Sequence, residues 1–128
     1  MTVVLDSWAV LALLDGVDPA AGIVDEVLGG SDEVVMSWIN LGEVVYVVTR
    51  RYGEGEARAV VRDLRPAVRL LVATPRIVLD AASLKARHRV SHADAFAAAT
   101  AASVDGELLT GDAELLVAGA SWRWRDLR

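Results

Sequence analysis

The sequence has 128 residues, of which 54% are hydrophobic, and a formal net charge of −5. This length is typical of one domain with one core, so we expect residues 1–128 to form a single domain. The negative charge argues against binding of nucleic acid by bulk attraction, and the absence of cysteine excludes disulfides, zinc–thiolate sites and thiol nucleophiles.

The first predicted element is the β-branched run Thr2–Leu5, which shows no alternation with polar residues. Such a run predicts a strand that is buried on both faces. It ends at Asp6, and we expect Ser7 to be the N-cap of the helix that follows. In an open α/β sheet, a turn from strand to helix lies at the edge where ligands bind. Asp6 is therefore a candidate for a functional carboxylate.

Further strands and helices alternate along the chain. The predicted strands are Glu33–Met36, Arg69–Val72, Glu107–Thr110 and an edge strand Trp122–Trp124. The predicted helices are Pro19–Gly29, Trp38–Tyr52, Glu56–Arg65, a helix that opens at Pro75, and His92–Ser103, followed by a short helix after Asp112. The helix Trp38–Tyr52 is apolar nearly all round and should lie sandwiched between neighbours, while the alanine-rich His92–Ser103 should pack very closely. This order predicts a three-layer α/β/α fold with a mainly parallel central sheet.

Four acidic residues fall where such a fold places ligand sites. Asp112 follows a strand and a glycine much as Asp6 follows the first strand, Asp94 stands in the first turn of its helix, and Glu43 stands in the second turn of another. All four should lie at the carboxyl edge of the sheet. Like charges at about 4 Å repel by about 4 kcal/mol at a protein surface, and a divalent cation would reverse the sign. Mg²⁺, or Mn²⁺, suits such a cage of oxygen ligands.

Each acid also has a local interpretation, and the sequence leaves both open. Asp6 could cap a helix, Asp94 could belong to a capping box that begins at Ser91, and Asp112 could be a turn acid. Glu43 lies on a helix with almost no polar face, which favours a functional role. Polar residues near the acids are expected to support them or to form local hydrogen bonds: Ser7, Asn40 and Thr110. We interpret His92 as a residue of the cap region or the surface.

The charges are unevenly distributed. Residues 1–49 carry eight acids and no Lys or Arg, whereas residues 50–92 carry ten basic residues and four acids. The basic residues of this region are almost all arginine, the side chain that best matches phosphate. No apolar run approaches the length of a membrane helix, and the first 49 residues lack the basic start of a signal peptide, so we expect a cytoplasmic protein.

Taken together, these motifs resemble the PIN domain family, and within it the VapC-type toxins of bacterial and archaeal toxin–antitoxin modules. The resemblance rests on Val-Leu-Asp6-Ser7, on Glu43 in Ser-Trp-Ile-Asn-Leu-Gly-Glu, on Asp94 in Val-Ser-His-Ala-Asp-Ala-Phe-Ala, and on Leu-Leu-Thr110-Gly-Asp112. It implies a Mg²⁺- or Mn²⁺-dependent endoribonuclease that hydrolyses RNA with metal-activated water, and it implies that the four acids are the catalytic and metal-binding residues. It further implies a cognate antitoxin as partner. Dimerisation through helices, common in the family, agrees with the surplus of apolar residues.

Three other functions stay open at this point. The first is a PIN nuclease of RNA processing without a toxin role. The second is a phosphoryl-transfer domain, although a receiver needs a late lysine where this chain has only Lys85, and a dehalogenase-type phosphatase needs an aspartate where it has Trp8. The third is a non-catalytic α/β domain whose acids are only caps.

Overall fold

The computed structural model describes residues 1–128 as five strands, six α-helices and one 3-10 helix. The strands are β1 (Thr2–Leu5), β2 (Glu33–Ser37), β3 (Arg69–Leu71), β4 (Glu107–Thr110) and β5 (Arg123–Asp126). The α-helices are α1 (Ser7–Asp15), α2 (Ala20–Gly29), α3 (Trp38–Tyr52), α4 (Glu54–Leu64), α5 (Pro75–Arg87) and α6 (His92–Ser103), and the 3-10 helix is Ala113–Leu115. The predicted bounds of α3, α6 and β4 agree with these.

All five strands are parallel, in the order β3-β2-β1-β4-β5. β1 is central, and its Val4 pairs with Val35 of β2 on one side and with Leu108 of β4 on the other. Because the strands share one direction, their carboxyl ends meet at one edge, which we call the carboxyl edge. The predicted α/β/α fold is confirmed, and the sheet is parallel throughout.

Two apolar clusters cover the two faces of the sheet. On one face, α1 to α4 pack against side chains that include Leu5, Met36 and Leu109. On the other face, α5 and α6 pack against Val4, Val35 and Leu108. Successive residues of β1 thus enter opposite clusters, as expected for a strand that is buried on both faces.

The alanines of α6 allow it to lie close to the sheet and to α5. Five of them are fully or almost fully buried: Ala95, Ala97, Ala98, Ala99 and Ala101. The prediction of close packing is therefore confirmed. The N-terminal turn of this tightly held helix contains Asp94.

Ser7 is not the N-cap of α1, contrary to the prediction. The cap is Asp6, whose carboxylate accepts a hydrogen bond from the Ala9 N–H at 2.8 Å. Ser7 is the first helical residue, and its hydroxyl donates to the Asn40 carbonyl oxygen at 3.1 Å. The serine side chain has a partner on α3, so the helix begins one residue earlier than the local pattern indicates.

The prediction that α3 is sandwiched between neighbours is also wrong. The helix buries a single face, formed by Asn40, Leu41, Val44 and Val48. Trp38, Ile39, Tyr46 and Tyr52 remain exposed. The helix packs mainly on the sheet, α1, α4 and α6, and its remaining face is open to solvent.

No single helix is long and apolar enough to cross a bilayer. α1 and α2 reach that length and composition only as a pair, and the two helices meet at 103°. Both contribute side chains to the same apolar cluster on the sheet.

Candidate metal centre

Asp6 lies at the carboxyl end of the central strand and is completely buried, with 0% of its surface exposed. Its Oδ1 caps α1, and its Oδ2 accepts a hydrogen bond from the Thr110 hydroxyl at the end of β4. The same Thr110 oxygen accepts the Asp112 N–H at 3.0 Å. Thr110 therefore connects the two acids that follow the adjacent strands β1 and β4.

Asp94, Asp112 and Glu114 form the tightest group of carboxylates. One oxygen from each lies within 4.8 Å of the others, a spacing at which three carboxylates can share one cation. The backbone fixes the group, because the Ser91 hydroxyl oxygen accepts the Asp94 N–H and Asp112 Oδ1 accepts the Glu114 N–H. Asp94 and Asp112 are partly buried, whereas Glu114 is exposed. We call these three residues the acid cluster.

Glu43 and Asp6 stand beside the acid cluster. Glu43 is half-buried in the second turn of α3, and its charge acts on Asp6. Asp6 in turn acts on Asp94. The structure thus brings the four predicted acids to one edge of the sheet, with Asp94 and Asp112 in the tight group and Asp6 and Glu43 beside it.

Burial and mutual repulsion disturb the ionisation of two of these acids. Burial raises the pKa of Asp6 to about 7, against the hydrogen bonds from Thr110 and Ala9 that lower it, and the charges of Asp112 and Glu43 raise it further. Burial also raises the pKa of Asp94 to about 8, and a hydrogen bond shared with Asp112 and the charge of Asp112 add to this rise. Clustered carboxylates whose pKa values are raised by burial and by one another are typical of cation-binding sites.

Asn40 ties α3 to the first turn of α6. Its Nδ2 donates to the Ala93 carbonyl oxygen at 3.0 Å, and its backbone carbonyl accepts the Ser7 hydroxyl. Its Oδ1 is buried without any hydrogen-bond partner. A buried acceptor of this kind needs a donor or a cation. Three supporting residues were predicted. Ser7 connects α1 with α3, and Asn40 connects α3 with α6. Thr110 connects Asp6 with Asp112.

Glu114 was not among the predicted site residues. It lies two residues after Asp112, on the 3-10 helix that Asp112 caps, and this brings its carboxylate back toward Asp94. The spacing Asp-x-Glu after a strand was the available signal. His92 is exposed at the start of α6, as predicted, but it also lines a groove with Glu43.

A sequence model of the PIN domain matches residues 3–120, which is nearly the whole chain. The chain belongs to the PIN domain family. This membership excludes the receiver and dehalogenase alternatives. No curated protein sequence matches this PIN domain.

Solved structures similar to this PIN domain come from toxin–antitoxin systems. The structure of VapBC2 from Rickettsia felis, bound to a DNA fragment from its promoter, has a TM-score of 0.79 at 13% identity and covers 100% of both chains. Mycobacterium tuberculosis VapC20, a toxin that cleaves the sarcin–ricin loop, has a TM-score of 0.77 at 23% identity over 91% of this chain and 95% of its own. VapBC-1 from nontypeable Haemophilus influenzae has a TM-score of 0.76 at 22% identity over 99% and 98%. At these identities the likeness is one of fold.

Proposed function

We propose that residues 1–128 form one nuclease domain that cleaves RNA internally with a divalent cation, Mg²⁺ or Mn²⁺, held at the acid cluster. The observation that carries this proposal is the convergence of Asp94, Asp112 and Glu114 within 4.8 Å of one another, beside Asp6 and Glu43. Membership of the PIN family supports a nuclease. The catalytic residues proposed are Asp6, Glu43, Asp94 and Asp112, and Glu114 joins them.

The residues present fit a hard divalent cation. Every side chain that reaches the cluster offers oxygen, and no cysteine or histidine belongs to it. Oxygen-only donor sets favour Mg²⁺ or Mn²⁺ over zinc. The partnerless Asn40 Oδ1 and the raised pKa values of Asp6 and Asp94 are both features that a nearby cation would relieve.

The side chains of the site then have distinct tasks. Asp94, Asp112 and Glu114 hold the cation, which supplies Lewis acidity and a more acidic water at the reacting phosphate. Asp6 is kept in one orientation by Thr110 and by the Ala9 N–H, and it places negative charge behind the cluster. Glu43 is half-buried beside the cluster and lines the groove next to it, and we assign to it the uptake of a proton from water. Asn40 keeps α6, and with it Asp94, in register with α3.

We propose an antitoxin as the protein partner and a toxin role for the nuclease. The similarity to VapBC complexes supports this assignment. A cavity of about 140 Å³ between α1, α3 and α4 is lined mainly by apolar residues and is bordered by the ion pair of Asp15 with Arg51. Such a cavity suits an apolar side chain of a partner segment. The alternative is a PIN nuclease of RNA processing, which predicts no neighbouring antitoxin gene and no arrest of growth on expression.

We also propose a homodimer that forms through helices. Leu79 on α5 and Val72 just before that helix are each 70% exposed, and Val78 is exposed beside Leu79. Apolar side chains this exposed, near to one another along the chain, are typical of an interface.

Cleavage of a panel of structured RNAs with Mg²⁺, Mn²⁺ or EDTA tests the nuclease proposal. We expect cutting with Mg²⁺ or Mn²⁺, none with EDTA, and a loss of at least a hundredfold in Asp94→Asn. Asp25→Asn on exposed α2 is the control and should cut like the wild type. Equal rates for Asp94→Asn and the control would refute the proposal.

A further inference from the structure

A groove runs from the acid site along the open face of α3. It has a volume of about 440 Å³ and lies between α3 and the start of α6, where Glu43, Tyr46, Ser91 and His92 line it. Glu43 belongs both to this groove and to the acid site, so the groove is continuous with the proposed reaction centre. We call it the α3–α6 groove.

Glu43 and Tyr46 of α3 line one wall of this groove, and Arg50 lies beyond its lining on the same stripe of the helix. Glu43, Tyr46 and Arg50 are spaced by three and four residues and thus share a face of the helix. With a rise of 1.5 Å per residue, Tyr46 lies about 4.5 Å and Arg50 about 10.5 Å beyond Glu43 along the axis. The Tyr46 side chain is about half exposed, and the Arg50 guanidinium carbon lies 5.1 Å from the centre of its ring.

The opposite wall is a second ring held in place. His92 contacts Phe96 in an edge-to-face arrangement, with ring centres 5.1 Å apart, and Phe96 is almost completely buried. The His92 ring is therefore packed against the core while its outer part faces the groove. The groove thus contains the acidic Glu43 and two rings, Tyr46 and His92, and the cationic Arg50 lies next to it against the Tyr46 ring.

This arrangement of an acid, two rings and an arginine is complementary to a nucleotide. An RNA strand that presents one phosphate to the acid site offers a base next to it and a further phosphate beyond. Aromatic side chains bind bases of single strands by stacking, and arginine binds phosphate. Arg50 forms no ion pair and no hydrogen bond with another residue of the chain, so its charge is free for an anion.

We propose that the α3–α6 groove binds the nucleotide that flanks the scissile phosphate of single-stranded RNA, with its base stacked on Tyr46 and its outer phosphate paired with Arg50. The assignment rests on the proposed nuclease function and adds a subsite to it. His92 and Ser91 provide hydrogen-bonding groups along the edge of the base. The groove therefore selects unpaired RNA at this position.

Binding of a fluorescein-labelled, 12-nucleotide single-stranded RNA tests the subsite. All variants are made in Asp94→Asn protein with Mg²⁺, so that the probe is not cut, and dissociation constants are measured by fluorescence anisotropy. Tyr46→Ala should weaken binding about tenfold, because it removes the ring on which one base stacks. Tyr46→Phe keeps the ring and should stay within twofold. Tyr52→Ala is the matched control on the same helix and should also stay within twofold.

The salt dependence of binding tests the phosphate contact. Arg50→Ala should lower the slope of log Kd against log salt by about 0.7, the value for one phosphate contact of a single strand. Arg123→Ala is the control, because Arg123 starts β5 at the opposite edge of the sheet, where it bonds to Asp105. An unchanged slope in Arg50→Ala would overturn the phosphate contact.

Other outcomes separate the subsite from the nuclease proposal. If the wild type cuts RNA but Tyr46→Ala binds within twofold of its parent, the groove proposal fails and the nuclease stands. If no cation supports cutting but Tyr46→Ala still weakens binding tenfold, the groove stands without the nuclease. If Tyr46→Ala converts a dimer to a monomer in sedimentation without a change in RNA binding, the groove is covered by a second copy and the proposal is overturned.

Discussion

Asp6 is held by interactions that act on its charge in opposite directions. Burial and the neighbouring acids oppose ionisation, while Thr110 and the Ala9 N–H favour it, and the pKa comes to about 7. Asp6 therefore caps α1 and can also lose its proton near neutral pH. The two interpretations of Asp6 that the sequence leaves open, a helix cap and a functional carboxylate, are therefore both compatible with its geometry.

We expect the stability of the metal-free protein to fall as the pH rises. Asp6 in the unfolded chain titrates near 3.8, and in the folded protein near 7, so the folded state binds more protons in between and loses stability over that range. Asp6→Asn keeps an oxygen to cap α1 and should be more stable than the wild type above pH 7, by up to about 4 kcal/mol. Urea unfolding from pH 4 to pH 8 measures this.

The matched control for this measurement is Asp25→Asn, which should follow the wild-type curve. Asp6→Ala is a less clean variant, because it also removes the cap of α1 and leaves the Thr110 hydroxyl without its acceptor. A wild-type curve that rises from pH 4 to pH 8 would contradict the raised pKa of Asp6.

A divalent cation should stabilise the folded protein through the acid cluster. At a concentration of 100 times its Kd, Mg²⁺ or Mn²⁺ would add about 2.7 kcal/mol. Asp94→Asn and Asp112→Asn should lose most of this gain, and the gain should grow from pH 6 to pH 8 as the cluster loses protons. Thermal unfolding with and without cation measures it, and an equal shift of Tm in both variants and the wild type would argue against a site at these residues.

At the scale of elements, much of the fold follows from the sequence. The bounds of α6 were predictable because Ser91 caps its start, and those of β4 because Asp105-Gly106 and Gly111 enclose an apolar run. The N-cap of α1 was not, because the partner of Ser7 lies on α3, 33 residues away. The local sequence allows either Asp6 or Ser7 to cap α1. The contact of Ser7 with α3 leaves Asp6 as the cap.

The site shows the same division. Convergence of Asp6, Glu43, Asp94 and Asp112 follows from parallel strands that share one edge. The position of Glu114 depends on one turn of 3-10 helix. A segment of three residues is too short for a hydrophobic periodicity to predict this turn. The open face of α3 also escaped prediction, since apolar residues all round a helix do not tell which of its faces finds a neighbour.

Gly111, which follows β4, packs closely against the Trp8 ring on α1. A Cβ at this position would lie 2.3 Å from ring atoms of Trp8, so any side chain must displace the indole. We expect Gly111→Ala to lower the free energy of unfolding by about 1–3 kcal/mol. Gly55→Ala on α4, where nothing lies within 4 Å, should instead raise it by about 0.5 kcal/mol. Urea denaturation compares the two, and equal effects would be inconsistent with this packing.

The close packing of α6 makes a similar prediction. Ala97 is fully buried against the sheet side, whereas Ala102 on the same helix is exposed. Ala97→Leu should destabilise the protein by about 1–3 kcal/mol through overpacking, and Ala102→Leu should change stability by less than about 0.5 kcal/mol. Thermal denaturation distinguishes them, and a harmless Ala97→Leu would mean that the layer is looser than described.

At the scale of the whole molecule, charge and apolar surface are separated. The acid cluster lies at the carboxyl edge, the arginines concentrate in residues 50–92, and six of the ten exposed large apolar side chains lie on α3 and α5. A molecule of net charge −5 can thus present cationic surface where an anionic strand would lie. The proposed cation, RNA strand and second copy of the chain would therefore each bind a different part of the surface.

The proposed dimer depends on the apolar surface near α5. Leu79→Asp should shift a wild-type dimer to monomer in analytical ultracentrifugation, because it places a charge in the interface. Val17→Asp, at a residue 52% exposed between α1 and α2, is the control and should leave the dimer intact. A monomeric wild type, or a dimeric Leu79→Asp variant, would rule out this interface.

The bridge that Thr110 makes to Asp6 spans 104 residues of sequence, and it sets when the site can exist at all. Asp6 follows β1, whereas Thr110 and Asp112 lie at the end of β4, and the two segments become neighbours only when these strands pair. Until β4 pairs with β1, Asp6 has no hydroxyl partner, and Asp112 and Glu114 are not fixed beside Asp94. The acid cluster is therefore a property of the folded domain, and a partly folded chain without this strand pair lacks it.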